Sequence, residues 1–256
     1  MNIFYISFIL ITLIILSFAF YKIQYLMFFK PTYKRRENLG DEFEFLSVMT
    51  DDGVELEGIV HSPDDAKETL LFFVGINHDA VGLMPKLAHS YKNTRVIAFN
   101  YRGYGKSGGR PSEKEIFLDA LLVTQKVKKN YGSIYVVGFS LGSSIAAYVA
   151  SKESLKAVFL IAPFDTLAKL TKRKHGFCLS WVLRYKYDNI SFVKGIQADT
   201  YVYASKSDEV IYISNTRSLV TYVTNLKSYI EYDDLKHGEL LWHPKMIKQI
   251  DGVINE

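Results

Sequence analysis

The stretch Ile134-Tyr-Val-Val-Gly-Phe-Ser-Leu-Gly-Ser-Ser-Ile-Ala-Ala-Tyr148 decides the fold. Its opening residues, Ile134 to Val137, are β-branched or aromatic and read as a buried strand. Leu141 to Ala150 form a small-residue amphipathic run that reads as a helix. Between them Gly138-Phe139-Ser140-Leu141-Gly142 fits the G-x-S-x-G pattern, a sharp strand-to-helix turn. So tight a reversal strains the serine backbone, and glycines two residues to either side remove Cβ atoms that would collide. Ser140 is therefore expected at the helix N-terminus, its Oγ exposed above a sheet.

Outward from this turn the pattern alternates. Glu42–Met49 and Val54–His61 read as two strands joined at Asp51-Asp52-Gly53, a hairpin signal. Thr69–Val74 and Arg95–Phe99 are continuous apolar runs, typical of strands covered on both faces. Helices are expected over Ala80–Tyr91 and from Ser112, where Ser-Glu-Lys-Glu forms a capping box, to about Asn130. Ala157–Ile161, Thr200–Ala204 and Tyr229–Tyr232 complete the strands. Helices are expected over Ile211–Val223 and Leu240–Val253. Pro163–Ile196 reads as irregular and partly helical. The alternation predicts an α/β fold, a mostly parallel eight-stranded sheet flanked by helices and fronted by an antiparallel hairpin.

The chain of 256 residues is long enough for one sizeable α/β domain and an appendage. With 48% hydrophobic and 23% charged residues it is not a disordered sequence. A net charge of +4 is too weak and dispersed to argue for nucleic acid. The single cysteine, Cys178, excludes an internal disulfide and a cysteine-based zinc site, and no H-E-x-x-H is present.

Residues 1–29 are predicted to be a transmembrane anchor. No charged side chain occurs from Met1 to Tyr21, a span long enough to cross a hydrocarbon core of about 30 Å. A cleaved signal peptide is the rival, but its positive n-region is missing. Lys22, Lys30, Lys34, Arg35 and Arg36 all follow the apolar run, which predicts a cytoplasmic domain. Residues 30–41 read as a basic linker. Residues 42–256 read as the domain, with a lid-like insertion at about 163–196, where Phe177, Leu179, Trp181, Val182 and Leu183 are candidates for a lid or acyl-binding wall.

The chemistry follows from chain order. A serine becomes a nucleophile when a base takes its proton, and the base must be oriented by an acid. In such sheets active groups lie beyond the carboxyl ends of the strands. Asp208 follows the strand Thr200–Ala204, and His237 follows the strand ending near Tyr232. Ser140, Asp208 and His237 are thus the candidate catalytic residues, in an order found in α/β sheets with this turn. Asp199 begins its strand and lies at the wrong end; Asp188, Asp233 and Asp234 are weaker candidates, and His243 is the rival base. The candidate oxyanion donors are the backbone N–H groups of Leu141 and of Ile76, in the loop after Val74. Gly103-Tyr-Gly-Lys-Ser-Gly108 fits G-x-G-x-x-G, but it follows a late strand, and Asn100 stands where a P-loop needs glycine. Arg102 is expected to brace the fold through carbonyls or a carboxylate. The basic run Lys169–His175 reads as a solvated helix face, with membrane-surface contact as the rival reading.

Four stretches carry a resemblance. Ala98-Phe-Asn-Tyr-Arg-Gly-Tyr-Gly-Lys-Ser-Gly-Gly-Arg-Pro-Ser-Glu113, the Ser140 turn, Ser205-Lys-Ser-Asp-Glu-Val210 and Lys236-His-Gly238 resemble the α/β-hydrolase superfamily. Within it they are similar to the BEM46-like branch with its ABHD13 and ABHD17 types. The resemblance implies an α/β-hydrolase fold, a serine hydrolase mechanism without cofactor or metal, and a membrane segment ahead of the domain. The family usually has His-Gly-Asn after the third strand where Val74-Gly75-Ile76 stands, and Asp where Asn100 stands. The expected function is hydrolysis of a carboxylic ester or thioester of a small-molecule or lipid-like acyl substrate, through an acyl-enzyme on Ser140. A catalytically silent binding protein and a serine peptidase on the same fold are the alternatives.

Overall fold

The computed structural model describes residues 3–33, 39–176 and 183–256. Its first element is α1 (Ile3–Phe28). Within it Phe4–Leu26 has a mean hydropathy of 2.3 and none of it is buried. The sheet strands are β1 (Phe43–Met49), β2 (Glu55–His61), β3 (Thr69–Phe73), β4 (Arg95–Phe99), β5 (Tyr135–Phe139), β6 (Ala157–Ile161), β7 (Asp199–Ser205) and β8 (Leu226–Tyr232). They form one eight-stranded sheet in the order β1-β2-β4-β3-β5-β6-β7-β8. β2 pairs antiparallel with β1 and β4, and the strands from β4 to β8 are parallel.

The helices are α2 (Ala80–Ser90), α3 (Glu113–Tyr131), α4 (Leu141–Ala150), α5 (Leu167–His175), α6 (Asn189–Val193), α7 (Ile213–Val220), α8 (His237–Leu240) and α9 (Pro244–Ile254). Right-handed crossovers assign their faces. The step β3-α2-β4 runs one way along the sheet, whereas β4-α3-β5 and β5-α4-β6 run the other. Thus α2 lies opposite α3 and α4. α9 joins α2, with Lys86 over the Trp242 ring at 4.0 Å and Asn255 Nδ2 donating to Thr94 Oγ1 at 3.3 Å. Leu70, Leu71, Val96, Ile97, Val136, Val137, Val158 and Leu160 are fully buried between the layers. That double coverage explains their unbroken apolar runs.

The structure differs from the sequence reading at three elements. The expected closing helix Leu240–Val253 is two helices, α8 and α9, because Pro244 has no N–H to continue the first one. α7 is shorter than Ile211–Val223 because the Asp208 carboxylate takes the N–H groups of Val210 and Ile211, each at 2.8 Å. β8 begins three residues before Tyr229, since Leu226 and Ser228 pair with β7 despite their polar surroundings at the sheet edge. Phe177, Cys178, Leu179, Trp181 and Val182, like Lys34, Arg35 and Arg36, lie outside the described residues.

The end of α1 and the residues after it rest on the domain. Phe29 is 2% exposed and meets the Tyr185 ring edge-on at 4.9 Å. Phe28 stacks on Tyr187 at 5.1 Å. The N–H of Lys30 donates to the Tyr104 hydroxyl at 3.1 Å, and the N–H of Gly105 to the Thr32 carbonyl at 2.9 Å.

Candidate active site

β5 delivers the chain to Ser140, whose φ of 55° lies in the left-handed region that a non-glycine residue seldom occupies. Two contacts make the flanking glycines necessary. A Cβ on Gly138 would lie 2.2 Å from the Gly142 carbonyl oxygen, and one on Gly142 would lie 2.0 Å from the Phe73 carbonyl oxygen. The absence of both side chains lets the first turn of α4 press against the end of β3. The N–H of Ser140 donates to the Ile161 carbonyl at 2.9 Å, holding the turn to the neighbouring strand. A serine at a helix N-cap usually bonds back to the helix amides. The Ser140 side chain makes no such bond.

Its Oγ instead lies 2.9 Å from His237 Nε2, and His237 Nδ1 lies 2.7 Å from Asp208 Oδ2. The other Asp208 oxygen accepts the N–H groups of Val210 and Ile211 at 2.8 Å, so the carboxylate is fixed on both sides. Asp208 is 4% exposed and Ser140 9%, so the hydroxyl is more covered than the open position expected from the motif. The Phe139 ring packs beneath the imidazole at 4.8 Å. The loops carrying the acid and the imidazole are tied together: Ser205 Oγ donates to the Leu235 carbonyl at 2.5 Å and Ser207 Oγ to the Asp233 carbonyl at 2.7 Å. The N–H of His237 donates to Glu209 Oε2 at 3.1 Å. The Glu209 carboxyl is held below its ordinary range, first by its own N–H and then by that of His237.

The first turn of α4 meets the end of β3, where the chain enters the loop that carries Ile76. Leu141 is the first residue of α4, where helix N–H groups have no partner inside the helix. Ile76 sits in the turn after β3, which closes through the His78 N–H to the Gly75 carbonyl at 3.1 Å. The Tyr101 hydroxyl donates to the Val74 carbonyl at 2.6 Å and sets the direction of this turn. The His78 imidazole packs beside Gly75 and lies 5.9 Å from the Phe139 ring. An imidazole thus lines this loop from position 78, although Val74 stands where the resembling family carries histidine.

Asn100 has a defined partner set as well. Its Oδ1 accepts the Ala80 N–H at 2.7 Å, and its amide donates to Glu57 Oε2 at 2.9 Å and Asp79 Oδ1 at 3.0 Å. One buried amide therefore separates two buried carboxylates, which an aspartate could not do. Arg102 braces the fold through carboxylates, those of Asp119 at 2.6 and 2.7 Å and of Asp52 at 2.9 and 3.3 Å. The amides of the glycine-rich loop are taken up within the protein. The N–H of Gly103 donates to Gly108, that of Ser107 to Tyr104, and that of Lys106 to Glu57.

The other candidates lie elsewhere. His243 caps α9 with its ring edge-on to Tyr232 at 4.6 Å. Asp199 starts β7 and binds Asn225. Asp188 bridges to Thr166, and Asp233 pairs with Lys206. The supporting Phe139, Tyr101, Ser205 and Glu209 were not singled out from sequence. All four lie within or beside quoted motifs, but nothing in their residue type marks the contact each one makes.

Comparison with known proteins agrees with the fold. A family model of the alpha/beta hydrolase fold matches residues 68–209. The chain is 29% identical over 194 residues to the alpha/beta hydrolase domain-containing protein aho-3 of Caenorhabditis elegans, covering 73% of this chain and 57% of that protein. It is 26% identical over 197 residues to human alpha/beta hydrolase domain-containing protein 17B, covering 73% and 66%. The chain thus spans about half to two-thirds of the length of these curated relatives. Among solved structures, the Pyrococcus furiosus esterase Pf2001 shares the fold with a TM-score of 0.70 at 17% identity, over 88% of this chain and 97% of that one. Strand order, the Gly138–Gly142 turn and the family match over residues 68–209 converge: the chain belongs to the alpha/beta hydrolase fold family.

Proposed function

We propose that the protein is a membrane-anchored serine hydrolase that cleaves a carboxylic ester or thioester through an acyl-enzyme on Ser140. The observation that carries the reading is the unbroken chain from Asp208 through His237 to the Ser140 Oγ, with contacts of 2.7 and 2.9 Å. In this reading His237 takes the Ser140 proton as Oγ attacks the acyl carbon, and Asp208 holds the imidazolium. The amides of Leu141 and Ile76 receive the oxyanion of the tetrahedral intermediate. Collapse expels the alcohol or thiol, which takes its proton from His237. Water, deprotonated by the same imidazole, then releases the acid and restores Ser140. The chemistry asks for no metal or cofactor.

The anchor reading rests on Phe4–Leu26 and on the hydrogen bonds that join residues 30–33 to the domain. A helix end integrated in this way suits an uncleaved segment. Lys22, in the last turns of that span, and Lys30, after it, support a cytoplasmic domain. Fluorophosphonate labelling of the full chain, followed by acyl esters, thioesters and peptide amides of graded length, tests the assignment. Labelling that is lost in Ser140→Ala supports it; labelling that persists rejects it. Wild-type protein that neither labels nor hydrolyses would instead mark a silent member of the fold.

A further inference from the structure

The carboxyl edge of the sheet carries more than Ser140. β4 ends at Phe99 and α3 runs back to feed the parallel strand β5, so the N-terminus of α3 lies on the same edge as the Ser140 turn. Residues 183–188 lie on that edge too, between β6 and α6. The N–H groups of Lys186 and Tyr187 donate to the Glu113 carboxylate at 2.6 and 2.7 Å. The end of α1 docks against this same segment, through Arg184 N–H to Gln24 Oε1 at 2.9 Å and Arg184 stacked over the Tyr21 ring at 4.1 Å.

Between α1 and the start of α3 a groove of about 640 Å³ is lined by Tyr21, Phe117 and Tyr185 together with Lys114, Arg184 and Lys186. Glu113 also lines it, its charge directed to two backbone amides, and Asp188 lies close by. Tyr21 belongs to the apolar span itself. If that span crosses a bilayer, the groove lies at the height of the headgroups, where aromatic rings and long basic side chains are favoured. α5 begins beside the groove, since the Leu167 N–H donates to the Lys186 carbonyl at 3.1 Å, and its Lys169 and Arg173 are turned to the buried Asp165 carboxylate at 3.6 and 3.7 Å.

We propose that this groove binds the headgroup of an anionic phospholipid and so holds the edge bearing Ser140 against the bilayer. The proposal rests on the anchor reading above and is independent of catalysis. Lys114, Arg184 and Lys186 supply the charge, Tyr21 and Tyr185 flank the glycerol backbone, and α1 leads the acyl chains into the membrane. Each cation near an anionic surface is worth roughly fivefold in occupancy, a gain that salt erodes.

The test is hydrogen exchange on the full chain in nanodiscs of phosphatidylcholine, with and without phosphatidylserine. Phosphatidylserine is expected to slow exchange at residues 113–118 and 183–188 several-fold, reversibly with salt. Arg184→Glu with Lys186→Glu should lower that occupancy by about 25-fold or more. Lys114→Glu, in the exposed first turn of α3 and away from the α1 contacts, should lower it without loosening the helix end. Ser140→Ala should retain the full effect. Equal exchange in both lipids, or equal protection by soluble glycerophosphoserine, overturns the proposal. Extraction of the chain by alkaline carbonate overturns the anchor reading and the proposal with it.

Discussion

Gly142→Ala isolates the contact between α4 and β3. The added Cβ would stand 2.0 Å from a backbone carbonyl, with the Val74 carbonyl at 2.7 Å. That is about 1.4 Å inside ordinary van der Waals contact, and backbone atoms cannot rotate away as a side-chain tip can. The first turn of α4 must therefore retreat by roughly 1 Å, at a cost of about 1–3 kcal/mol of the kind found on overpacking a core. The retreat carries the Leu141 amide away from the Ile76 turn. A displacement of that size costs about 10²-fold when it misplaces reacting groups, and loss of one oxyanion donor costs about 10²–10³-fold. We expect the variant to fold with a lowered melting temperature and to hydrolyse a p-nitrophenyl ester at least about 100-fold more slowly, mainly through kcat. Gly238→Ala is the control: it adjoins His237, yet an added Cβ meets no atom within 4 Å. It should retain full rate. A folded Gly142→Ala protein with wild-type turnover would refute the link between this close approach and the reaction.

Three further substitutions probe the surroundings of the site. Tyr101→Phe leaves the Val74 carbonyl unpartnered, so stability should fall by about 1–3 kcal/mol in a urea titration and kcat about tenfold with little change in KM. Unchanged kcat would mean that the Ile76 turn needs no support from Tyr101. Asn100→Asp restores the residue usual in the resembling family, but here it would face Glu57 and Asp79 as a third carboxylate. A loss of about 3 kcal/mol is expected, and one below about 1 kcal/mol would show that the network repacks. Asp52 is held down to about 2 by Arg102, then by Thr50. A depressed carboxylate stabilises the fold above its unfolded value of about 3.9 and loses that contribution as pH falls towards the folded value. The stability gap between wild type and Asp52→Asn should thus be full above about pH 5 and close between about pH 4 and 2. A gap that does not change with pH would assign the effect to packing.

Much of the architecture was legible because burial leaves a direct trace in sequence. β3, β4 and β6 are covered on both faces, so each appears as an unbroken apolar run bounded by polar residues. The edge strand β8 was only half legible. Leu226 and Lys227 are exposed there, and the pairing with β7 that extends it is a long-range effect with no local signature. Asp208 and His237 could be placed on the right edge by chain order alone, since strands must deliver βα loops to one side of a parallel sheet. What holds them was not legible. Ser205 and Phe139 look like ordinary strand residues until the tertiary contacts bring Leu235 and His237 beside them. The docking of residues 28–32 was hidden for the same reason: a basic segment reads as a solvated linker, whereas its backbone pairs with Tyr104 and Gly105 far along the chain.

The strain at Ser140 explains why these contacts occur together. A non-glycine residue in the left-handed region costs about 1–2 kcal/mol, and glycine would remove that cost. Glycine at this position would also remove the hydroxyl. The position must therefore keep its side chain and be forced into shape by what surrounds it. Gly138 and Gly142 remove the steric barrier, the Ile161 carbonyl holds the Ser140 N–H, and Ser143 Oγ donates to the Ser140 carbonyl at 2.5 Å. Both backbone groups of the strained residue are thus bonded, to a strand on one side and to a helix on the other. With the backbone so constrained, the hydroxyl is released from capping α4 and faces the His237 imidazole. The stability given up locally is offset by the buried β5–β6 pairing and α4 packing on either side of the turn.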